Sequence, residues 1–122
     1  MEITTAVPAL SALAHEGRLS IFRLLVEAGP EGVAAGEIGR RLGIAPNTLS
    51  ASLTVLSHAG LVRSRRNGRS IIYSAGYDRM TDLLGFLVQD CCNGHPEICA
   101  SVASLAAGMA CCARDDASLA RA

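Results

Sequence analysis

The stretch AGEIGRRLGIAPNTLSASLTVLSHAGLVRSRRNGRSIIYS, residues 35–74, decides the fold. Its opening predicts a short helix from Val33 to Leu42, with Ile38 and Leu42 four residues apart on the inner face and Gly43 as its stop. Pro46 then suits the first position of a second helix, where its missing N–H costs nothing. Leu49, Leu53 and Leu56 give that helix one narrow buried stripe. Asn47, Thr48, Ala51, Thr54 and His58 lie opposite, small or polar and not needed for packing, and Ser50 and Ser52 join them as candidate contacts. Beyond Gly60 the period changes. Leu61–Ser64 and Ser70–Ser74 read as two short strands with Asn67-Gly68 between them, the strongest short hairpin signal.

Upstream, Ala6–Leu13 is apolar and helix-prone. From His15 to Ala28 a second helix is predicted, with Leu19, Phe22, Leu25 and Val26 on its stripe, widened by Ile21 and Leu24, and stopped by Gly29-Pro30. Downstream, Asp78 is a good N-cap for a helix carrying Met80, Leu84, Leu87 and Cys91 on one stripe. The run Cys92–Pro96 breaks it, and a last helix is expected from Pro96 through Ile98, Val102, Leu105 and Met109. The tail 113–122 has no apolar stripe. The expected class is mainly α with a small β-hairpin. A DNA-binding domain occupies 1–90, and a cysteine-bearing segment occupies 91–122.

Two short helices across a tight turn, followed by an arginine-tipped hairpin, match a winged helix-turn-helix. Such a recognition helix buries one stripe and offers small polar groups to the major groove of duplex DNA. Its first turn aims backbone N–H groups at phosphate. Net charge is zero, but all eleven cations are arginines. Arg63, Arg65, Arg66 and Arg69 fall within seven residues and no acid interrupts them. The guanidinium fork suits phosphate, so Arg65, Arg66 and Arg69 are the candidate backbone contacts of the wing. A solvated turn is the plain alternative for such a cluster.

No apolar run approaches the ~20 residues of a membrane span, and MEITTAVPALSALAHEGR lacks a basic signal-peptide start. A cytosolic protein is the expectation. Its five cysteines, Cys91, Cys92, Cys99, Cys111 and Cys112, all lie in the last third. In a reducing compartment, clustered thiols point to metal or redox chemistry. Cys91 and Cys92 are adjacent, and a bend containing Gly94 and Pro96 can fold Cys99 back onto them. Three thiolates converging from one side suit a soft pyramidal centre such as As(III) or Sb(III). Zn or Cd, with His95 as a further ligand, is the borderline-soft alternative. Thiol deprotonation makes the affinity pH-dependent. On a continuous helix Cys111 stands about 18 Å from Cys99, so Cys111 and Cys112 are an accessory pair, an organoarsenical or delivery site, part of a site completed by a partner subunit, or small apolar filling at a helix end.

The chain resembles the ArsR/SmtB family of metal-responsive repressors over roughly residues 9–90. The resemblance is carried by LAHEGRLSIFRLLVEAG (13–29), by residues 35–74, and within them by the block LxxLxxAGLV (53–62) running into the Arg-rich turn. It implies a homodimer joined by the first helix and the last two, with Pro46–Ala59 entering the major groove. DCCNGHPEIC (90–99) looks like the C-terminal arsenite site of some arsenic-responsive members. The cysteines of the better-known arsenic site are replaced here by Ala34 and Gly36. Family members often carry a larger basic residue and a His after the recognition-helix Ser; here Ser50 is followed by Ala51 and Ser52, so direct base readout is expected to be thin.

The leading expectation is a repressor released from operator DNA by As(III). A thiol-based redox or sulfide sensor, with Cys92 and Cys99 oxidised together, and a Cd, Zn or Pb sensor use the same scaffold. A winged helix serving protein contacts is a further alternative. An enzyme such as a thiol arsenate reductase is disfavoured: no phosphate-cradling loop precedes a Cys and no Ser/His/Asp arrangement occurs.

Overall fold

In the computed structural model the described residues are 1–88. The order is α1 (Ile3–Leu13), α2 (Glu16–Ala28), β1 (Val33–Ala34), α3 (Ala35–Leu42), α4 (Pro46–His58), β2 (Val62–Asn67), β3 (Ser70–Ala75) and α5 (Tyr77–Val88). The first four helices end at the predicted stops, Gly29, Gly43 and Gly60 among them, and a hairpin follows α4; the predicted break at Cys92–Pro96, the last helix from Pro96 and the tail 113–122 lie outside the described residues. One addition is β1, two residues that pair antiparallel with β3 through Val33–Tyr73 and Ala34–Ile72, giving a three-stranded sheet in the order β1-β3-β2.

The core is aliphatic. Ile21, Leu25, Ile38, Leu56 and Leu61 are fully buried, with Phe22, Leu49 and Leu53 beside them. The stripe of α2 is phased differently from expectation: Ile21, Phe22 and Leu25 face in, while Leu19 is exposed. On α5, Leu83 is the buried residue, and Leu84 and Leu87 face out. The helix also begins one residue before Asp78, at Tyr77.

In α1 the usual order of sizes is reversed. Ala6, Ala9 and Ala12 are buried, so α1 lies close against α2 and α4. Ile3, Val7 and Leu10, at i, i+4 and i+7, remain 66%, 56% and 39% exposed. Arg18 fixes the end of this helix: its Nε donates to the Ala12 carbonyl at 2.7 Å, satisfying an acceptor that the helix terminus leaves open. His15 caps α2, its Nδ1 accepting from the Arg18 N–H at 3.4 Å.

The end of α4, the start of the wing and the start of α5 meet at one corner. Gly76 N–H donates to the Leu61 carbonyl at 2.7 Å, and Leu61 N–H donates to Leu56 within α4 at 3.0 Å. A Cβ at Gly76 would collide with the Gly60 carbonyl oxygen, so only glycine allows this approach. Tyr77, the next residue, reaches across to α2, its hydroxyl donating to the Val26 carbonyl at 3.2 Å.

Burial raises the Tyr77 pKa above the ordinary phenol range. The neutral, hydrogen-bonded form is therefore favoured by folding. Its contribution is complete below the unfolded-state pKa and is lost as pH climbs through the folded value. Tyr77→Phe is expected to cost about 0.5–1.5 kcal/mol at neutral pH. Urea unfolding at pH 7 and above pH 10 checks this: the difference between wild type and variant shrinks at the alkaline end.

Candidate nucleic-acid interface

Helix α4 is held by its apolar stripe, Leu49, Leu53 and Leu56, all buried. The turn before it is set by Gly43, which closes α3 in the left-handed region with φ 66°. Ala45 stands at the N-cap and supplies no side-chain bond. Pro46 has no N–H, and the first helical bond is Leu49 N–H to the Ala45 carbonyl at 2.9 Å. The N–H groups of Asn47 and Thr48 are therefore left at the helix end, where the positive dipole favours an anion such as phosphate.

Asn47, Thr48, Ser50 and Ala51 are exposed, in one run along the first turns of α4. Ser52 is a correction: it is only 7% exposed and belongs to the packed side with Leu53. At i+3 from Leu49 it lies on the buried stripe, and its small size had concealed this. Thr54 is exposed, but its hydroxyl proton goes to the Ser50 carbonyl at 2.9 Å. Toward a base edge Thr54 is thus an acceptor only.

The wing is longer than the sequence reading made it. Strand β2 runs through the arginines to Asn67, which pairs with Ser70, so the two-residue turn is Gly68-Arg69 and not Asn67-Gly68. Gly68 has φ 64°, a value its position in the turn requires. Arg69 is at the tip.

The four wing arginines divide into two classes. Arg63 pairs with Asp78 of α5, Nη2 to Oδ2, at 2.8 Å. Arg65 donates from Nη2 to the Glu31 carbonyl at 2.6 Å, which ties the strand to the loop before β1. Both hold the wing to the body. Arg66 and Arg69 are exposed and, among the described residues, make no side-chain hydrogen bond or ion pair. Strand pairing sets Arg66 opposite Ile71, on the face shared with Ser64 and Tyr73. Arg40 and Arg41 of α3, which sequence reasoning did not single out, share the single carboxylate of Glu37.

Cys91, Cys92, Cys99, Cys111 and Cys112, with His95, lie outside the described residues. Ala34 and Gly36 sit at β1 and in the first turn of α3. Among the described residues no three His, Cys, Asp or Glu side chains gather as a metal site, and no helix is long and apolar enough to cross a membrane.

A helix-turn-helix domain profile matches residues 13–65. The nodulation protein NolR of Rhizobium meliloti is 36% identical over 78 residues, which cover 64% of this chain and 62% of that protein. Among solved structures, HlyU of Vibrio cholerae is 32% identical with a TM-score of 0.57, covering 71% of this chain and 97% of that one; its reduced form is likewise solved. A homodimeric winged helix-turn-helix DNA-binding domain of Mycobacterium bovis, described as a possible ArsR-family regulator, is 29% identical with a TM-score of 0.59, covering 76% and 86%.

On a duplex, Arg66→Ala and Arg69→Ala are each expected to reduce the slope of log K against log salt by about one, with weakening uniform across DNA sequences. Arg63→Ala leaves the slope nearly unchanged. Fluorescence anisotropy at a series of salt concentrations measures the three slopes.

Proposed function

The chain belongs to the ArsR family of winged helix-turn-helix transcriptional regulators, and from that premise we propose that it is a cytoplasmic, homodimeric repressor that leaves its operator when trivalent arsenic binds Cys91, Cys92 and Cys99. The observation that supports DNA binding is the exposed run Asn47, Thr48, Ser50 and Ala51 on α4, followed by a wing whose Arg66 and Arg69 are exposed and, among the described residues, make no side-chain bond. Ala51 contacts a thymine methyl at best, so base readout is light and phosphate contacts with DNA shape supply much of the affinity.

Dimerisation is supported by the reversed packing of α1. Small residues are buried and Ile3, Val7 and Leu10 are left bare, an arrangement that only a covering surface makes favourable. Leu84, 49% exposed on α5, extends the argument to a second helix. In a two-fold dimer each substitution enters the interface twice. Val7→Asp is accordingly expected to shift the protein to monomer in sedimentation velocity and to weaken operator binding, while Leu19→Asp, also at an exposed apolar residue, leaves the mass unchanged.

The ligand reading rests on thiol chemistry. The cysteines that mark one arsenic site of the family are absent at Ala34 and Gly36, and every sulfur nucleophile of the chain lies in 91–112. Three thiols exchange with arsenous acid, forming three S–As bonds and releasing three waters. Three thiolates complete the pyramidal coordination of As(III) or Sb(III), whereas tetrahedral Zn needs a fourth ligand such as His95. Coupling of about 1–3 kcal/mol between ligand and DNA is the usual scale. A thiol-redox switch is the second reading, favoured by the solved reduced form of the Vibrio relative and by the closeness of Cys92 and Cys99 in sequence.

Gel shifts of the full chain on the DNA preceding its own gene test this. Arsenite is expected to weaken binding about tenfold or more. Cys91→Ser, Cys92→Ser and Cys99→Ser each abolish the response and keep the apo affinity. Release by peroxide or persulfide, with arsenite inert, would replace the arsenic reading by the redox one. No binding to that DNA in any state would overturn both.

A further inference from the structure

A cavity of about 510 Å³ opens between α3, α4 and strand β3. That is within the range of roughly 300–1,000 Å³ typical of small-molecule sites. Leu49, Leu53, Ile44 and Ile71 make most of its lining apolar, and Ser50 and Tyr73 are its hydroxyl-bearing residues. One reason the cavity exists is Gly36: a Cβ built there meets nothing within 4 Å. A larger residue at this helical position would project into the open space.

The charge at the mouth is one-sided. Among the described residues Arg40 is the one charged residue of the lining, and no acid lines the cavity. Its neighbour Glu37 pairs with both Arg40 and Arg41. Two guanidiniums thus share one carboxylate, and one positive charge is left over. An apolar chamber with hydroxyls and a surplus cation at its rim fits a small amphiphilic anion. A phosphodiester chain, which has no apolar body to bury, fits it poorly.

We propose that this cavity is a second effector site, taking a small organic anion with an aromatic or aliphatic body and a carboxylate or sulfonate head. Its occupant lies against Ser50, a residue of the proposed DNA-facing surface, so ligand and duplex compete. That consequence rests on the DNA-binding reading; occupancy of the cavity does not, and it is measured without DNA.

The probe is 1-anilinonaphthalene-8-sulfonate, with uncharged N-phenyl-1-naphthylamine as its counterpart, titrated by fluorescence into the full chain. Wild type is expected to bind the sulfonate saturably. Gly36→Leu, whose side chain fills the space, weakens it about tenfold or more. Arg40→Gln weakens the sulfonate about two- to fivefold, the scale of one exposed charge contact, and leaves the neutral probe unchanged. Leu is a better helix former than Gly, and circular dichroism, with Gly36→Met as a second filler, separates blocked binding from lost fold. Identical titrations for wild type and Gly36→Leu would place the probe on the bare apolar faces of α1 and α5 and overturn the proposal. So would equal weakening of both probes by Arg40→Gln.

Discussion

The hydrogen bond from Gly76 to the Leu61 carbonyl fixes more of this molecule than any other single contact. Leu61 is fully buried and bonded back into α4, so this one donor sets the end of the recognition helix against the start of α5. It works only because two backbones touch at Gly60 and Gly76 with no side chain between them. Arg79 lies over Gly60, and Asp78 holds Arg63, so the first turn of α5 grips both the helix end and the wing. The ion pair is solvent-exposed and adds under about 1 kcal/mol. The backbone contact, being buried and sterically exclusive, is the part that sets geometry.

Helix α1 shows a second constraint, between the inside and outside of one helix. Burying Ala6, Ala9 and Ala12 releases little hydrophobic free energy but brings the helix axis close to α2 and α4. The larger gain, at about 25 cal/mol per Å² of apolar surface, resides in Ile3, Val7 and Leu10 and is realised only against another surface. Among the described residues, the leucine stripe of α4 is buried while the large apolar residues of α1 are left bare. Placing the unsatisfied surface on the helices that flank the reading head leaves the DNA-facing side polar.

What was legible in the sequence follows from which signals are local. Gly29-Pro30, Gly43 and Pro46 fixed helix ends because they act through their own backbone. The stripe of α4 was legible because Leu49, Leu53 and Leu56 are spaced i, i+4 and i+7 and Val55 is the one large apolar residue off it, though Ser52 was misplaced because a small residue fits either side. On α2 and α5 apolar residues surround much of the helix, so periodicity could not choose between Ile21 and Leu19, or between Leu83 and Leu84. That choice belongs to the partner surface. β1 escaped notice since two residues have no period, and its pairing with β3 is nonlocal. The turn at Gly68-Arg69 was missed by one residue because β2 is exposed along nearly its whole length, which leaves no alternation to fix the register. The bond from Arg65 to the Glu31 carbonyl was not legible, since no sequence pattern announces a backbone partner 34 residues away. The thiol reading rests on residue chemistry alone, and its cysteines lie outside the described residues.

A chain of zero net charge meets a polyanion through arrangement alone. Acids are placed where they pin arginines: Glu37 under Arg40 and Arg41, Asp78 against Arg63, Glu27 near Arg23. These pairs neutralise charge on the body. Arg66 and Arg69, at the far end of the hairpin, have no such acid among the described residues, so the positive potential is concentrated at the wing tip. Screening at physiological salt acts over about 8 Å, shorter than the roughly 20 Å that the six residues of β2 span at about 3.3 Å each. The distant acids therefore do little to cancel the tip, and the position of two arginines, more than the charge of the whole, determines where a duplex settles.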